Sequence, residues 1–235
     1  MKKTEVMKWL RENADERGIA HWKKRRAKET GLKSYGIGLT RLRKFAKEVG
    51  RDPKLASQLW SSDCYDAKIL GLLVDDPKAI TREQAEQQVE EADGAYLAHV
   101  FSSCDATLAK SPIAFELASE WINADCPQRK RCGYGLLYEL SKKKPKGMDD
   151  RFLLDVVKTI ESNIHGEEMW VREAMNTALM GIGKRNLRLN KAAVKAAKSI
   201  GPVDIDYGDD NACEPLDVLK HLDRADLRER LAAKA

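Results

Sequence analysis

Ala67-Lys68-Ile69-Leu70-Gly71-Leu72-Leu73, residues 67–73, opens on a charge and runs into small and apolar residues. The same progression returns at Lys130-Arg131-Cys132-Gly133-Tyr134-Gly135-Leu136-Leu137 and at Arg172-Glu173-Ala174-Met175-Asn176-Thr177-Ala178-Leu179. Lys68, Arg131 and Glu173 hold comparable places in the three stretches, 63 and 42 residues apart. A recurrence at roughly 40 residues is the signature of stacked helix pairs, each too small to bury its apolar side alone.

The flanking sequence agrees with helix after helix. Apolar residues recur at spacings of three and four in Leu39, Leu42, Phe45, Ala46 and Val49, and again in Phe152, Leu153, Val156, Val157 and Ile160. Thr81-Arg82-Glu83-Gln84 has the form of a capping box. Pro53, Pro77, Pro112, Pro127 and Pro145 stand where helices can begin, and Gly31, Gly50, Gly147 and Gly201 where they can end. Val203-Asp204-Ile205-Asp206 alternates as a strand would, but it is short and follows Pro202. The reading is an all-α single domain over 1–235, an α-solenoid of HEAT-like repeats with about eleven to thirteen helices. Residues 1–33 form basic N-terminal helices and 202–235 an acidic cap. A plain helical bundle is the alternative.

The chain has 235 residues and a net charge of only +5, but the charge is unevenly spread. Residues 17–47 carry +10 and residues 48–127 carry −9; 128–146 and 181–200 are again basic. Brought onto one face, the basic segments would make a surface suited to nucleic acid. Separately they are solvated helix faces. The five cysteines contain no Cys-x-x-Cys pair and the four histidines are scattered, so no metal is expected and the thiols read as reduced. No apolar run suits a membrane span or a signal peptide, which points to a cytoplasmic protein. Gly181-Ile182-Gly183-Lys184 lacks the spacing and the hydroxyl of a phosphate-binding loop, and Gly36-Ile37-Gly38 reads as a turn before a helix.

Three stretches carry a resemblance. They are Tyr35 to Val49 leading to Leu59-Trp60, Tyr65 to Pro77, and Trp170 to Leu179 followed by Ile182-Gly183-Lys184-Arg185-Asn186; with Trp121 and Arg131-Cys132-Gly133 they span 35–186 in order. The chain resembles the bacterial DNA alkylation repair family, the AlkD-like alkylpurine DNA glycosylases built of HEAT-like repeats. The resemblance implies a helical solenoid holding duplex DNA, alkylated or distorted, in a basic concave cleft. It also implies hydrolysis of the glycosidic bond to cationic N3- or N7-alkylated purines, with no cofactor and no metal. In active members an aspartate stabilises the cationic character that develops on the sugar.

The sequence departs from that pattern at the site. The stretch Ala92-Asp93-Gly94-Ala95-Tyr96-Leu97-Ala98-His99-Val100-Phe101 puts His99 at the aspartate and Ala95 at its preceding tryptophan. A second cleft tryptophan matches Thr177, and the cleft arginine matches Arg131. A neutral imidazole does not replace an anion, and a protonated one repels a cationic transition state. Asp93 and Asp105 are the fallback acids. The expectation is therefore a monomeric DNA-binding protein without base excision. Its DNA-binding residues would be Arg131, His99 and Thr177 with the clusters Lys23-Lys24-Arg25-Arg26, Lys142-Lys143-Lys144 and Lys184-Arg185. An active alkylpurine glycosylase is the first alternative and a protein-binding solenoid the second.

Overall fold

A computed structural model describes residues 1–25, 31–92, 95–104, 106–143, 145–207 and 214–233. The chain divides into two compact units, Met1–Ile113 and Ala114–Ala235. The first contains α1 (Lys3–Glu12), α2 (Glu16–Arg25), α3 (Leu39–Val49), α4 (Pro53–Trp60), α5 (Tyr65–Val74), α6 (Arg82–Glu91), α7 (Ala95–Ser102) and a 3-10 turn at Leu108–Lys110. The second contains α8 (Ala114–Trp121), α9 (Pro127–Ser141), α10 (Asp150–Asn163), a 3-10 turn at Ile164–Gly166, α11 (Met169–Gly183), α12 (Leu187–Ile200), α13 (Val218–Leu222) and α14 (Ala225–Ala232). These are fourteen α-helices among the described residues, slightly more than expected, because the N- and C-terminal segments break into short ones. The fold is all-α. The β pairing described is one isolated bridge, between Lys33 and Cys64. Val203 and Ile205 are buried, but the chain there is irregular. Among the described residues no helix is long and apolar enough to cross a membrane.

Local chemistry sets the helix ends. Asp52, Asp149, Asn186 and Asp217 each accept a hydrogen bond from the backbone N–H three residues on, which satisfies a donor that the first turn leaves unpaired. Thr81 caps α6 in the same way, at 3.2 Å from Gln84 N. The Gln84 amide goes to Asp75 instead, at 2.6 Å, so only half of the capping box forms. Pro53 and Pro127 open α4 and α9, whereas Pro77, Pro112 and Pro145 lie outside helices. Gly50 and Gly201 end α3 and α12 with φ of +79° and +72°.

Repetition shows as contact. In the first unit the Trp60 indole donates to Glu91 at 2.6 Å, and the Tyr65 and Tyr96 rings lie 6.2 Å apart; both pairs are 31 residues apart in sequence. In the second unit Arg131 meets Glu173 near the start of α9 and α11. Near their ends a Cβ on Gly181 would fall 2.4 Å from Ser141 Oγ. These two helices therefore run side by side in one direction, about 42 residues out of step, as the repeat in the sequence requires. α10 and α12 do the same: Asn186 donates to Asp150 at 2.9 Å at one end, and the His165 ring bonds to the Ile200 carbonyl at 2.9 Å at the other. Apolar stripes fill the space between the helices. Leu42, Phe45 and Ala46 of α3 are buried, as are Leu153, Val156, Val157 and Ile160 of α10.

Candidate nucleic-acid interface

The parallel helices α9 and α11 present the residues that the sequence singled out in the second unit. Arg131 is 5% exposed, so it is not a free surface cation. Its Nη2 lies 3.4 Å from Glu173 Oε2 and its guanidinium sits 5.1 Å from the centre of the Trp170 ring. Glu173 also accepts from the Tyr207 hydroxyl at 3.2 Å, and the Trp170 and Tyr207 rings are 6.1 Å apart. The adjacent Lys130 Nζ meets Glu167 Oε1 at 2.7 Å. Lys130 and Arg131 near the start of α9 thus each meet an acid from the next repeat. Thr177 follows Glu173 by one turn on α11 and is half-buried. Tyr134 belongs to the core, where burial pushes its hydroxyl well above the ordinary tyrosine range.

The other ends of the same helices differ. Lys142 and Lys143 follow α9, Lys184 and Arg185 follow α11, and the structure brings the two clusters together. Arg185 donates to the carbonyls of Lys143 and, at 3.1 Å, of Met148. Lys142 is exposed, pairs with Glu139 at 2.8 Å and lies 4.0 Å over the Tyr138 ring. Lys184 is exposed and, among the described residues, reaches only the Met180 sulfur, at 3.3 Å. Burial first, then Arg224 and Lys142, lower its pKa. Cations suit this edge because the last carbonyls of a helix carry partial negative charge. Lys144 lies outside the described residues.

In the first unit His99 of α7 is half-buried at the end of an aromatic row. Trp22 and Tyr65 are 4.3 Å apart, Tyr65 and Tyr96 6.2 Å, and Tyr96 and His99 6.2 Å. Lys23 and Lys24 are exposed on α2 while Trp22 between the turns is buried. Arg26 and both fallback acids, Asp93 and Asp105, lie outside the described residues, as does the side chain of Arg25. Tyr35 to Gly38 forms a joint, as its turn-like sequence suggested. The buried Asp66 carboxylate accepts from Ser34 Oγ at 2.8 Å, from Tyr35 N at 2.7 Å and from Ile37 N at 2.9 Å. Among the described residues no group of three or more His, Cys, Asp or Glu side chains could hold a metal ion.

Glu173, Glu167, Trp170 and Tyr207 were not read as site residues from the sequence. The signal for Glu173 was present: it holds the repeat position of Arg131 with the opposite charge, and equivalent positions of neighbouring repeats touch.

A family model described as "DNA alkylation repair enzyme" matches residues 6–207. Two uncharacterized proteins are similar over 196 residues, 83% of this chain and 84% of each relative. One, from Listeria monocytogenes serovar 1/2a, is 26% identical. The other, from Listeria innocua serovar 6a, is 25% identical. A solved structure superposes with a TM-score of 0.83 at 23% identity, covering 98% of this chain and 96% of its own. It is described as a new family of proteins related to the HEAT-like repeat DNA glycosylases with affinity for branched DNA structures. That likeness establishes the HEAT-like helical fold.

Proposed function

The chain belongs to the DNA alkylation repair enzyme family, and on that premise we propose that it is a DNA-binding member that engages damaged or distorted duplex DNA without excising a base. The reading rests on family membership together with the match, in sequence, of His99, a non-acidic residue, to the position of the family's aspartate. Exposed cations supply the affinity: Lys142, Lys143 and Lys184 at one edge of the second unit, beside the half-buried Arg185, and Lys23 and Lys24 in the first. Phosphate contacts of this kind position DNA and carry little sequence information. The solved structure of similar fold is of a protein with affinity for branched DNA, which makes branched duplexes a substrate to include.

One observation favours base excision as a second reading. Glu173 is a carboxylate fixed by Arg131 and Tyr207 in the company of the Trp170 ring. A fixed anion beside an aromatic wall is the element that stabilises a cationic sugar.

The test is release of free base from duplex DNA carrying N7-methylguanine, run beside binding of plain and branched duplexes at two salt concentrations. With about four phosphate contacts, affinity is expected to fall about a hundredfold between roughly 50 and 200 mM salt. Salt-sensitive binding with no release above the spontaneous rate supports the proposal. Release that Glu173→Gln abolishes transfers the reading to an active glycosylase. Absence of both favours a protein-binding solenoid.

A further inference from the structure

The last two helices and the end of α11 enclose an open pocket of about 350 Å³, lined by Lys184, His221, Arg224, Leu227, Arg230 and Leu231. Five of these six residues lie beyond residue 207, where the family match stops. The sequence read this segment as an acidic cap, yet the pocket it forms is basic. Two acids of the segment, Asp223 and Asp226, are already committed. Asp223 pairs with Lys198 at 2.9 Å and with Arg228. Asp226 takes Arg224 in a two-point bond, 2.9 Å on each side, and Arg230 at 3.7 Å. That leaves one carboxylate shared by two guanidiniums and no carboxylate within ion-pair reach of Lys184 among the described residues.

The walls are held in place. The buried Asn190 amide donates to the Gly183 carbonyl at 3.0 Å and to the Leu222 carbonyl at 3.2 Å, so one side chain ties the end of α11 to the end of α13. Gly183 lets α13 approach: a Cβ there would sit 2.3 Å from a Leu222 methyl carbon. Asn176 donates to the Leu216 carbonyl at 2.7 Å and fixes the chain leading into α13. The mutual repulsion of the cations adds to burial at His221 and at Lys184. The pKa of His221 is lowered by burial, then by Lys184, with Lys220 and Arg224 adding and Asp217 opposing; that of Lys184 is lowered by burial, Arg224 and Lys142.

A preorganised set of cations with incomplete internal compensation, on an apolar floor of Leu227 and Leu231, suits a compact oxyanion with several acceptor atoms. The geometry points to a phosphate-binding pocket formed by Lys184, Arg224, Arg230 and His221, which takes a backbone phosphate of the bound DNA strand. The strand as the source of the phosphate rests on the DNA-binding reading above; the phosphate chemistry does not.

Two measurements separate these. In the first, inorganic phosphate is titrated against the full chain and the His221 imidazole proton resonance is followed, assigned by its loss in His221→Gln, with chloride at equal ionic strength as control. In the second, a duplex of about 20 base pairs is bound across roughly 50–200 mM salt by wild type and by Arg224→Gln/Arg230→Gln. Melting temperatures without ligand establish that the variants fold; Lys184→Gln stands in should the double variant fail to. The expected result is a phosphate-dependent shift of the His221 signal that the variant loses, together with a log–log salt slope shallower by about one phosphate contact. A phosphate response with an unchanged slope overturns the strand as the source. A His221 resonance that phosphate does not move overturns the pocket. If wild type binds no DNA, the function proposed above fails, and the first measurement alone decides the pocket.

Discussion

Asp66 shows how one residue converts a glycine-rich loop into a joint. Its two oxygens take the N–H groups of Tyr35 and Ile37 and the Ser34 hydroxyl, and the loop they fix packs against the start of α2. Gly36, with φ of +70°, sits where a Cβ would lie 2.3 Å from Ile19 N, so the backbone there requires glycine. Burial raises the Asp66 pKa, and the hydrogen bonds from Tyr35, Ser34 and Ile37 oppose that rise without cancelling it. Asp66→Asn presents an NH₂ where one of these N–H or O–H donors points. It is expected to lower stability by about 1–3 kcal/mol, the usual cost of a buried donor left unpaired. Because the folded-state pKa is raised, the contribution of Asp66 is fully present below the ordinary carboxylate pKa and declines as pH rises through the folded value. The gap between wild type and Asp66→Asn in urea unfolding should therefore narrow from acid toward neutral pH. A gap that widens would mean that the three donors outweigh burial.

Helices meet backbone to backbone where the sequence places small residues, and this explains why the repeat was legible. Gly71 and Gly133 fall inside the first two matching stretches, and each lies where a neighbouring helix approaches. A Cβ on Gly133 would stand 2.6 Å from Ile122 N and 2.9 Å from the Trp121 carbonyl carbon. In an exposed helix Gly→Ala gains about 1 kcal/mol. Here the obstructing atoms are main chain and cannot rotate away, and overpacking of this kind costs about 1–3 kcal/mol. Gly133→Ala is expected to destabilise the second unit and lower its melting temperature; a rise would show that α8 yields to α9. The periodicity thus revealed both helix type and helix spacing. It did not reveal that the step differs between the units, 31 residues for Tyr65 and Tyr96 but 42 for Arg131 and Glu173. Helix length sets most of the step, ten residues each in α5 and α6 against fifteen and fourteen in α9 and α10, and periodicity marks helix ends poorly. Prolines misled for a related reason. Pro77, Pro112 and Pro145 satisfy the same local rule as Pro53 and Pro127, and only the tertiary path decides which of them a helix follows.

Across the molecule the charge that matters is the charge left after pairing. Counting along the chain finds the basic segments but not their partners; the guanidinium of Arg131, the position that the resemblance matches to the cleft arginine, is buried against Glu173. Lys184 and Lys142, two lysines among several in their segments, prove to share one edge. The sequence located the family and the basic surfaces; the pairing needed the fold, because residues 42 positions apart meet only once the repeats stack. Glu173→Gln separates the roles. Glutamine keeps the size of the side chain and an oxygen for Tyr207 and Arg131, so the fold should persist while one negative charge disappears. Arg131 then loses the charge of that partner. If Arg131 lies beside bound DNA, affinity at low salt should rise several-fold and the log–log salt slope should steepen by up to about 0.9, the value for one additional phosphate. Arg131→Ala should act oppositely and also lower stability, because it strands the half-buried Glu173 carboxylate. A Glu173→Gln variant that melts like wild type and binds DNA with an unchanged slope would place Arg131 away from any phosphate. The ion pair would then be an internal tie between repeats, and DNA affinity would rest on the lysine edge alone.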